Sequence, residues 1–298
     1  MRHSAAVTHA QKVVEQAWSL VSNARVREAR TMSEKLVQEL QDLLEEDDER
    51  DVELLQSLIS ACHVAGYTVG MSVRNSNALV AVSYFEEMLR VAHKLNDSPF
   101  SVIALTYQGD MYRRDGNLKE AMQCLQLAYA TPQADRAAHG NCAQLLGRLY
   151  SQTNDEENFV RVMSEAEQIA SSIDPSRTRL NGQYCLGTVY IDYSKHYCAL
   201  GETRKALDYF VRAEESLPNT PHWCTLLTAT RGLLLVRSGN IEQGMPYVIE
   251  AVKLAIDHGN YRLLDHFYAL QNYLGQKSVE INQANVRLGE SLYEASAY

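Results

Sequence analysis

Residues 105–132 read LTYQGDMYRRDGNLKEAMQCLQLAYATP, and this stretch decides the fold. Counted from Gly109, Tyr112, Gly116, Ala121, Leu125 and Ala128 stand at offsets 3, 7, 12, 16 and 19. Apolar residues recur at helical spacing on both sides of Arg-Asp-Gly-Asn at 114–117, the pattern of two amphipathic helices joined by a tight turn. Glycine at offset 7 supplies the positive φ that closes the first helix. Small residues at offsets 0, 12 and 19 let helices approach closely, and large ones at offsets 3 and 16 fill the space between them.

The same offsets recur at 145–170 as Gly147, Tyr150, Asn154, Phe159, Met163 and Ala166. They recur again at 230–255 as Gly232, Leu235, Gly239, Gly244, Val248 and Ala251. Between these, at 184–218, Gly187 and Tyr190 fit, whereas Gly201, Ala206, Phe210, Ala213 and Pro218 fit seven residues late. Seven residues is about two helical turns, so the insertion keeps the apolar face in phase and predicts longer helices or a displaced turn here. Two degenerate copies come first: Ala17, Leu20, Ala24, Ala29 and Leu36, then Ala61 with Ala81, Phe85 and Met88 around a stretched middle at 66–77. Leu263, Leu264, Phe267, Leu270 and Leu274 predict a helical C-terminal cap.

These offsets resemble those of the tetratricopeptide repeat (TPR) over roughly residues 10–260. The resemblance implies an all-α fold, an α-α superhelix forming one TPR-like solenoid domain over 1–298 with about six to seven helix pairs. Degenerate repeats would span about 10–95, clear ones about 102–255, and the capping helices about 261–298. The stretched copies and long helical end are also similar to the ligand-sensing regions of bacterial transcription regulators and signalling ATPases. That likeness implies a regulatory setting, although no DNA-binding helix-turn-helix is found within the chain.

Composition agrees with a chain folded throughout. Hydrophobic residues make up 46% of the 298, enough for a continuous core. Lys and Arg number 28 against 37 Asp and Glu, a net charge of −9, which speaks against direct nucleic-acid contact. The six cysteines are scattered without zinc or disulfide spacing and read as reduced core thiols. The first ten residues lack an apolar segment and no run of 18 apolar residues occurs, so the expectation is a cytoplasmic protein with no membrane partner.

No phosphate-cradling loop, zinc-protease motif or nucleophile elbow is present, and neither catalysis nor a cofactor is expected. Asp192 and His196, four apart, either share a metal or make interhelical hydrogen bonds. His258 and His266 each follow an aspartate. The acidic run at 45–51 is either a docking strip for a basic partner or a solvated link. Tyr112, Tyr150 and Tyr190 read as packing residues with their hydroxyls toward the surface.

The TPR resemblance implies that the first helix of each pair lines a concave face through repeat positions 2, 5, 9 and 12. Those positions hold Ile103, Thr106, Asp110 and Arg113; Asn141, Gln144, Arg148 and Ser151; Asn181, Tyr184, Thr188 and Ile191; and Leu226, Ala229, Leu233 and Val236. Side-chain amides are donor and acceptor at once, so Asn141, Gln144 and Asn181, flanked by Tyr184 and Thr188, suit an extended peptide backbone. Arg113 and Arg148 could grip a carboxylate. The carboxylate clamp of co-chaperone TPR proteins is missing, because its places hold Thr106, Tyr107 and Asp110, then Gln144, Leu145 and Arg148. The expected function is binding of a peptide or protein segment in the concave groove. The alternative is a static adaptor, a homodimer through its C-terminal helices.

Overall fold

In the computed structural model, which describes residues 2–46, 51–131 and 135–295, the repeat unit is a helical hairpin. Six follow one another among the described residues: α1 (Arg2–Ser22) with α2 (Val26–Glu46), α3 (Val52–Ser72) with α4 (Val82–Leu95), and α5 (Ser98–Asp115) with α6 (Leu118–Ala130). Then come α7 (Arg136–Gln152) with α8 (Glu156–Ala170), α9 (Leu186–Ala199) with α10 (Thr203–Ser216), and α11 (Pro221–Arg237) with α12 (Ile241–Asp257). One 32-residue helix, α13 (Leu264–Ala295), follows. No strand occurs among the described residues, and the fold is the all-α helical-repeat solenoid that the periodicity predicts. Most of the acidic run at 45–51 lies outside the described residues.

Local chemistry sets the hairpins. In five of them the chain turns through a left-handed residue at offset 7: Ala24, Gly116, Asn154, Gly201 and Gly239. The exception is α3–α4, where the stretched middle forms a 3-10 turn at Asn75–Ala81. Asp51, Asp97, Asp135 and Asp155 cap the N-termini of α3, α5, α7 and α8 by accepting backbone N–H groups that lack helical partners.

In the third, fourth and sixth hairpins the glycine at offset 0 lies against the large residue at offset 16. A Cβ on Gly109 would lie 2.6 Å from the Leu125 side chain, and one on Gly232 would lie 2.9 Å from both the backbone nitrogen and a methyl of Val248. Gly147 meets Met163 in the same way.

The fifth hairpin corrects the sequence register. Gly187, expected at offset 0, is the second residue of α9 and faces Leu217, at the far end of α10. The residue at the close approach is Ser194, whose hydroxyl donates to Ala206 O at 2.8 Å, twelve residues on. The repeat therefore reads Ser194, Tyr197, Gly201, Ala206, Phe210 and Ala213, and the extra residues fall in the loop before α9 rather than inside the hairpin. That loop, from 171 to 185, carries a 3-10 turn at Pro175–Arg177 and left-handed residues at Asn181 and Gly182.

The superhelix turns far enough for its first hairpin to touch its last. Arg27 of α2 donates to Ile256 O and Tyr261 Oη, both at 2.7 Å, and Val26 N–H donates to His258 O. Arg74 pairs with Asp265 at 2.5 Å and lies over the Tyr268 ring. The 3-10 turn at Tyr261–Leu263 thus packs across the inner side of the array, and the concave face is a partly enclosed pocket rather than an open trough.

The C-terminal cap is a single continuous helix. Leu263, Phe267 and Leu270 are buried against α11 and α12, whereas α13 beyond residue 274 is solvent-exposed as far as its side chains are described. All six cysteines are free, but only Cys62, Cys142 and Cys185 are buried. Cys224 is exposed, so the expectation of six core thiols holds for half of them. Tyr150 is buried, and Tyr112 and Tyr190 pack half-buried on the main core.

Gly232→Ala forces a methyl onto the Val248 backbone, which cannot rotate aside, and is expected to destabilise the protein by about 1–3 kcal/mol. A urea denaturation midpoint unchanged from wild type would contradict this close approach.

Candidate functional site

Repeat position 9 follows the small residue of each first helix. It falls on Asp110 in α5, on Arg148 in α7 and, in the corrected register, on Lys195 in α9. These side chains meet on the inner face at a cavity of about 70 Å³ walled by α3, α5, α7, α9, α11 and the 3-10 turn at Tyr261–Leu263. A second recess of about 190 Å³, partly open to solvent, adjoins it and shares Arg114, Arg148, Asp192, Lys195 and Arg262. A water occupies about 30 Å³ of liquid, so the pair has room for the end of a chain or one side chain but not for several buried residues.

The expected site residues divide into three groups. Asp110, Asn141, Arg148 and Thr188 line the cavity, Arg113 lines the adjoining recess, and Gln144 lies buried directly behind. Thr106 is wholly buried and lines neither recess. Asn181 and Tyr184, placed on the concave face by the uncorrected register, are not on a helix at all. Asn181 is an exposed loop residue with φ 50°, and its amide donates to Arg179 O. Tyr184 is fully buried, its ring filling the space left by Gly140 and its hydroxyl donating to Ala166 O at 2.6 Å.

A buried polar network organises the walls. Asp192 accepts from Arg148 Nε at 2.7 Å and from Gln144 Nε2 at 2.5 Å, and the Thr188 hydroxyl donates to Gln144 Oε1. Asp110 accepts two bonds from Arg113, whose remaining nitrogen donates to Gln152. Burial pushes the Asp110 carboxyl up, but Arg113, Arg148, Arg262 and Arg114 outweigh it and hold the group well below the usual carboxylate range. Arg114 donates to Gly70 O, Val73 O and Asn75 Oδ1, tying α5 to the stretched turn after α3.

Asp192 and His196 turn to different partners. The His196 ring pairs with Glu156 at 2.7 Å and with the Ser151 hydroxyl at 2.8 Å, and it stacks on Phe159. Among the described residues no three His, Cys, Asp or Glu side chains cluster as a metal site would require. The interhelical reading of this pair is the one the geometry carries.

Two atoms at the cavity stand apart from the network. Asn141 Nδ2 and Asn260 Oδ1 are buried without a hydrogen-bond partner among the described residues, and both residues line the same cavity. One is a donor from α7, the other an acceptor from the turn after α12.

Sequence reasoning missed Lys195, Arg262 and Asn260. Lys195 was recoverable, since counting back from Gly201, Ala206 and Phe210 puts it at position 9. Arg262 and Asn260 lie beyond the last repeat, where the period says nothing, and reach the pocket only because the array closes on itself.

Asp192→Ala leaves the Arg148 and Gln144 donors facing each other without an acceptor. Arg148 is a quarter exposed, so the expected loss is about 2–3 kcal/mol, toward the lower end for a broken buried pair. Combining Asp192→Leu with Arg148→Met should recover most of it in a double-mutant cycle read by urea unfolding, and additive losses would refute the coupling.

Comparison with solved structures finds chains that align with this one over most of its length. The chain is similar to BtubC (BKLC) from P. vanneervenii at a TM-score of 0.51 and 15% identity, covering 80% of this chain and 93% of that one. It also aligns with a Rap protein complexed with Competence and Sporulation Factor at a TM-score of 0.46 and 12% identity, covering 87% and 79%. No protein-family model matches, and no curated protein matches. Among the described residues no helix is long and apolar enough to cross a membrane.

Proposed function

We propose that this chain is a non-catalytic recognition module that receives a short peptide, or the end of a protein segment, in the pocket of its inner face. The observation that carries the reading is the pair of unpartnered amide atoms, Asn141 Nδ2 and Asn260 Oδ1, at one cavity. A buried polar atom without a partner costs about 1–3 kcal/mol. A peptide group offers one carbonyl and one N–H, so a single backbone unit can satisfy both at once.

The mechanism follows from where the two amides sit. Asn141 belongs to the fourth hairpin and Asn260 to the turn after the sixth, so a ligand bridging them ties the middle of the array to its end. Each hairpin packs mainly on its neighbours, and such a bridge favours the closed superhelix over more open ones. This gives a sensing or regulatory role a physical basis: occupancy is read out as superhelix pitch.

Display selection of random heptapeptides on the wild-type protein, repeated on Asn141→Leu and Asn260→Leu, tests the reading. Wild type should enrich a sequence whose affinity falls at least tenfold in either variant, while both variants melt at or above the wild-type temperature. Failure to enrich any sequence, or equal binding by all three proteins, would remove it.

A second reading, an adaptor that dimerises, is favoured by α13. Leu274, Ile281 and Leu288 recur every seven residues, and Ile281 and Leu288 are exposed at 68% and 58%. In proteins most helical stability comes from packing of an apolar face, so a second copy packed along this stripe would stabilise the exposed part of the helix. Sedimentation equilibrium should then show a dimer that Ile281→Asp with Leu288→Asp converts to monomer, and a wild-type monomer at 100 micromolar, a concentration on the order used for weak interfaces, would exclude it.

A further inference from the structure

The two connected recesses are lined by five cations, Arg113, Arg114, Arg148, Lys195 and Arg262, against two carboxylates, Asp110 and Asp192. In a chain of net charge −9 this concentration of positive charge is local. Both carboxylates are already engaged, Asp110 by Arg113 and Asp192 by Arg148. Arg114 is held by backbone carbonyls and Asn75. Lys195 and Arg262 remain: among the described residues neither side chain makes a hydrogen bond or an ion pair within 4 Å, and both line both recesses.

Neighbouring groups register the same field. Burial first, then Arg148, Arg262 and Arg113, against the opposing pull of Asp192, bring the Lys195 ammonium down to about 8. His266 on α13 is held neutral by burial and then by Lys195, Arg262, Arg113 and Arg148. His222 on α11 is lowered to about 4 by burial, then by Arg262 and His258. A fold gains nothing from gathering unpaired cations in a half-enclosed recess, since each lowers its own stability. An anion entering the recess reverses the sign of that cost.

We propose that the recess between Lys195 and Arg262 is an anion subsite that takes a carboxylate of the bound peptide, either its C-terminus or an acidic side chain. The assignment rests on the peptide reading for its ligand class, and it places the charged end of the ligand a short reach from the Asn141 and Asn260 amides, in the same cavity. Arg262 offers a planar fork suited to two carboxylate oxygens, and Lys195 a point charge. Arg262 lies beyond the last repeat, outside the positions by which co-chaperone repeats clamp a carboxylate, and Lys195 stands at repeat position 9, where that clamp has an asparagine.

The pH dependence has a definite sign. Lys195 must be protonated to hold the anion, so carboxylate affinity falls as pH rises through about 8. In the free protein the folded-state value lies below the ordinary 10.5. From about pH 8 to 10.5 the unfolded chain therefore binds the extra proton, and wild type gains stability relative to Lys195→Gln as pH rises.

The test uses the full chain labelled with 13C at the lysine ε carbon, with the Lys195 signal assigned by Lys195→Gln. It is titrated with N-acetylglycine, which mimics a peptide C-terminus, with propionate, which mimics an acidic side chain, and with N-acetylglycinamide as the uncharged control. A carboxylate should shift the Lys195 titration upward, reflecting a roughly tenfold preference for the protonated form. Arg262→Gln should abolish the shift, and the amide should cause none. A larger response to N-acetylglycine assigns a C-terminus and a larger one to propionate a side chain. No response to either carboxylate at 100 millimolar, about the limit for a fragment this small, overturns the subsite, as does an unchanged response in Arg262→Gln. Both variants remove a charge that the free fold disfavours, so both should stay folded. Because no peptide enters the assay, a failed heptapeptide selection beside an intact titration would discard the peptide reading alone.

Discussion

In three of the six hairpins among the described residues the two helices come so close that a Cβ finds no room at Gly109, Gly147 or Gly232. This constraint fixes the separation and angle of the helices in a pair, and repetition turns a local angle into a superhelix. The curvature brings α2 to the turn after α12, where Arg27 reaches Ile256 O and Tyr261, and Arg74 reaches Asp265. Closure then puts Arg262 and Asn260 opposite α5, α7 and α9. Without the close approach the array would be flatter, and the inner residues would face solvent rather than each other.

Enclosure changes what the inner polar residues can do. On an open face, Asp110, Arg148 and Asp192 would be screened and weakly coupled. In the pocket Asp110 and Asp192 each hold an arginine, and the groups left unpaired become conspicuous. Among the described residues these are two amide atoms and two cations, all at one cavity. Functional specificity in a structural repeat lies in such departures, because the repeat itself needs only small and large residues in alternation.

The two proposed interaction sites are physically separate. The pocket lies on the inner face, between the middle and last hairpins, and has room for no more than the end of a chain. The exposed stripe of α13 lies beyond the last hairpin and suits a second helix. Occupancy of the one need not preclude the other, and α13 begins one residue after Leu263, itself part of the pocket wall. A change in the position of the 3-10 turn would move the base of α13 with it.

The sequence by itself determined the all-α repeat fold, because offsets of small, large and left-handed residues are a local steric code that survives without knowledge of distant contacts. It also placed Asp110, Arg113, Asn141, Gln144 and Arg148 on the inner side, since those follow the period directly, and Thr188 too, though through a register set seven residues early. It put Asn181 and Tyr184 there wrongly, because Gly187 and Tyr190 imitate the code seven residues early, and two helical turns preserve the apolar phase. Choosing between Gly187 and Ser194 requires knowing which residue meets Ala206, a contact that a hydroxyl makes as well as a glycine does. Only the tertiary structure decided that the groove closes, that Lys195 and Arg262 face each other across it, and that Asn141 and Asn260 share a cavity. Those facts arise from small angles summed over six hairpins, and no local pattern in the chain carries such a sum.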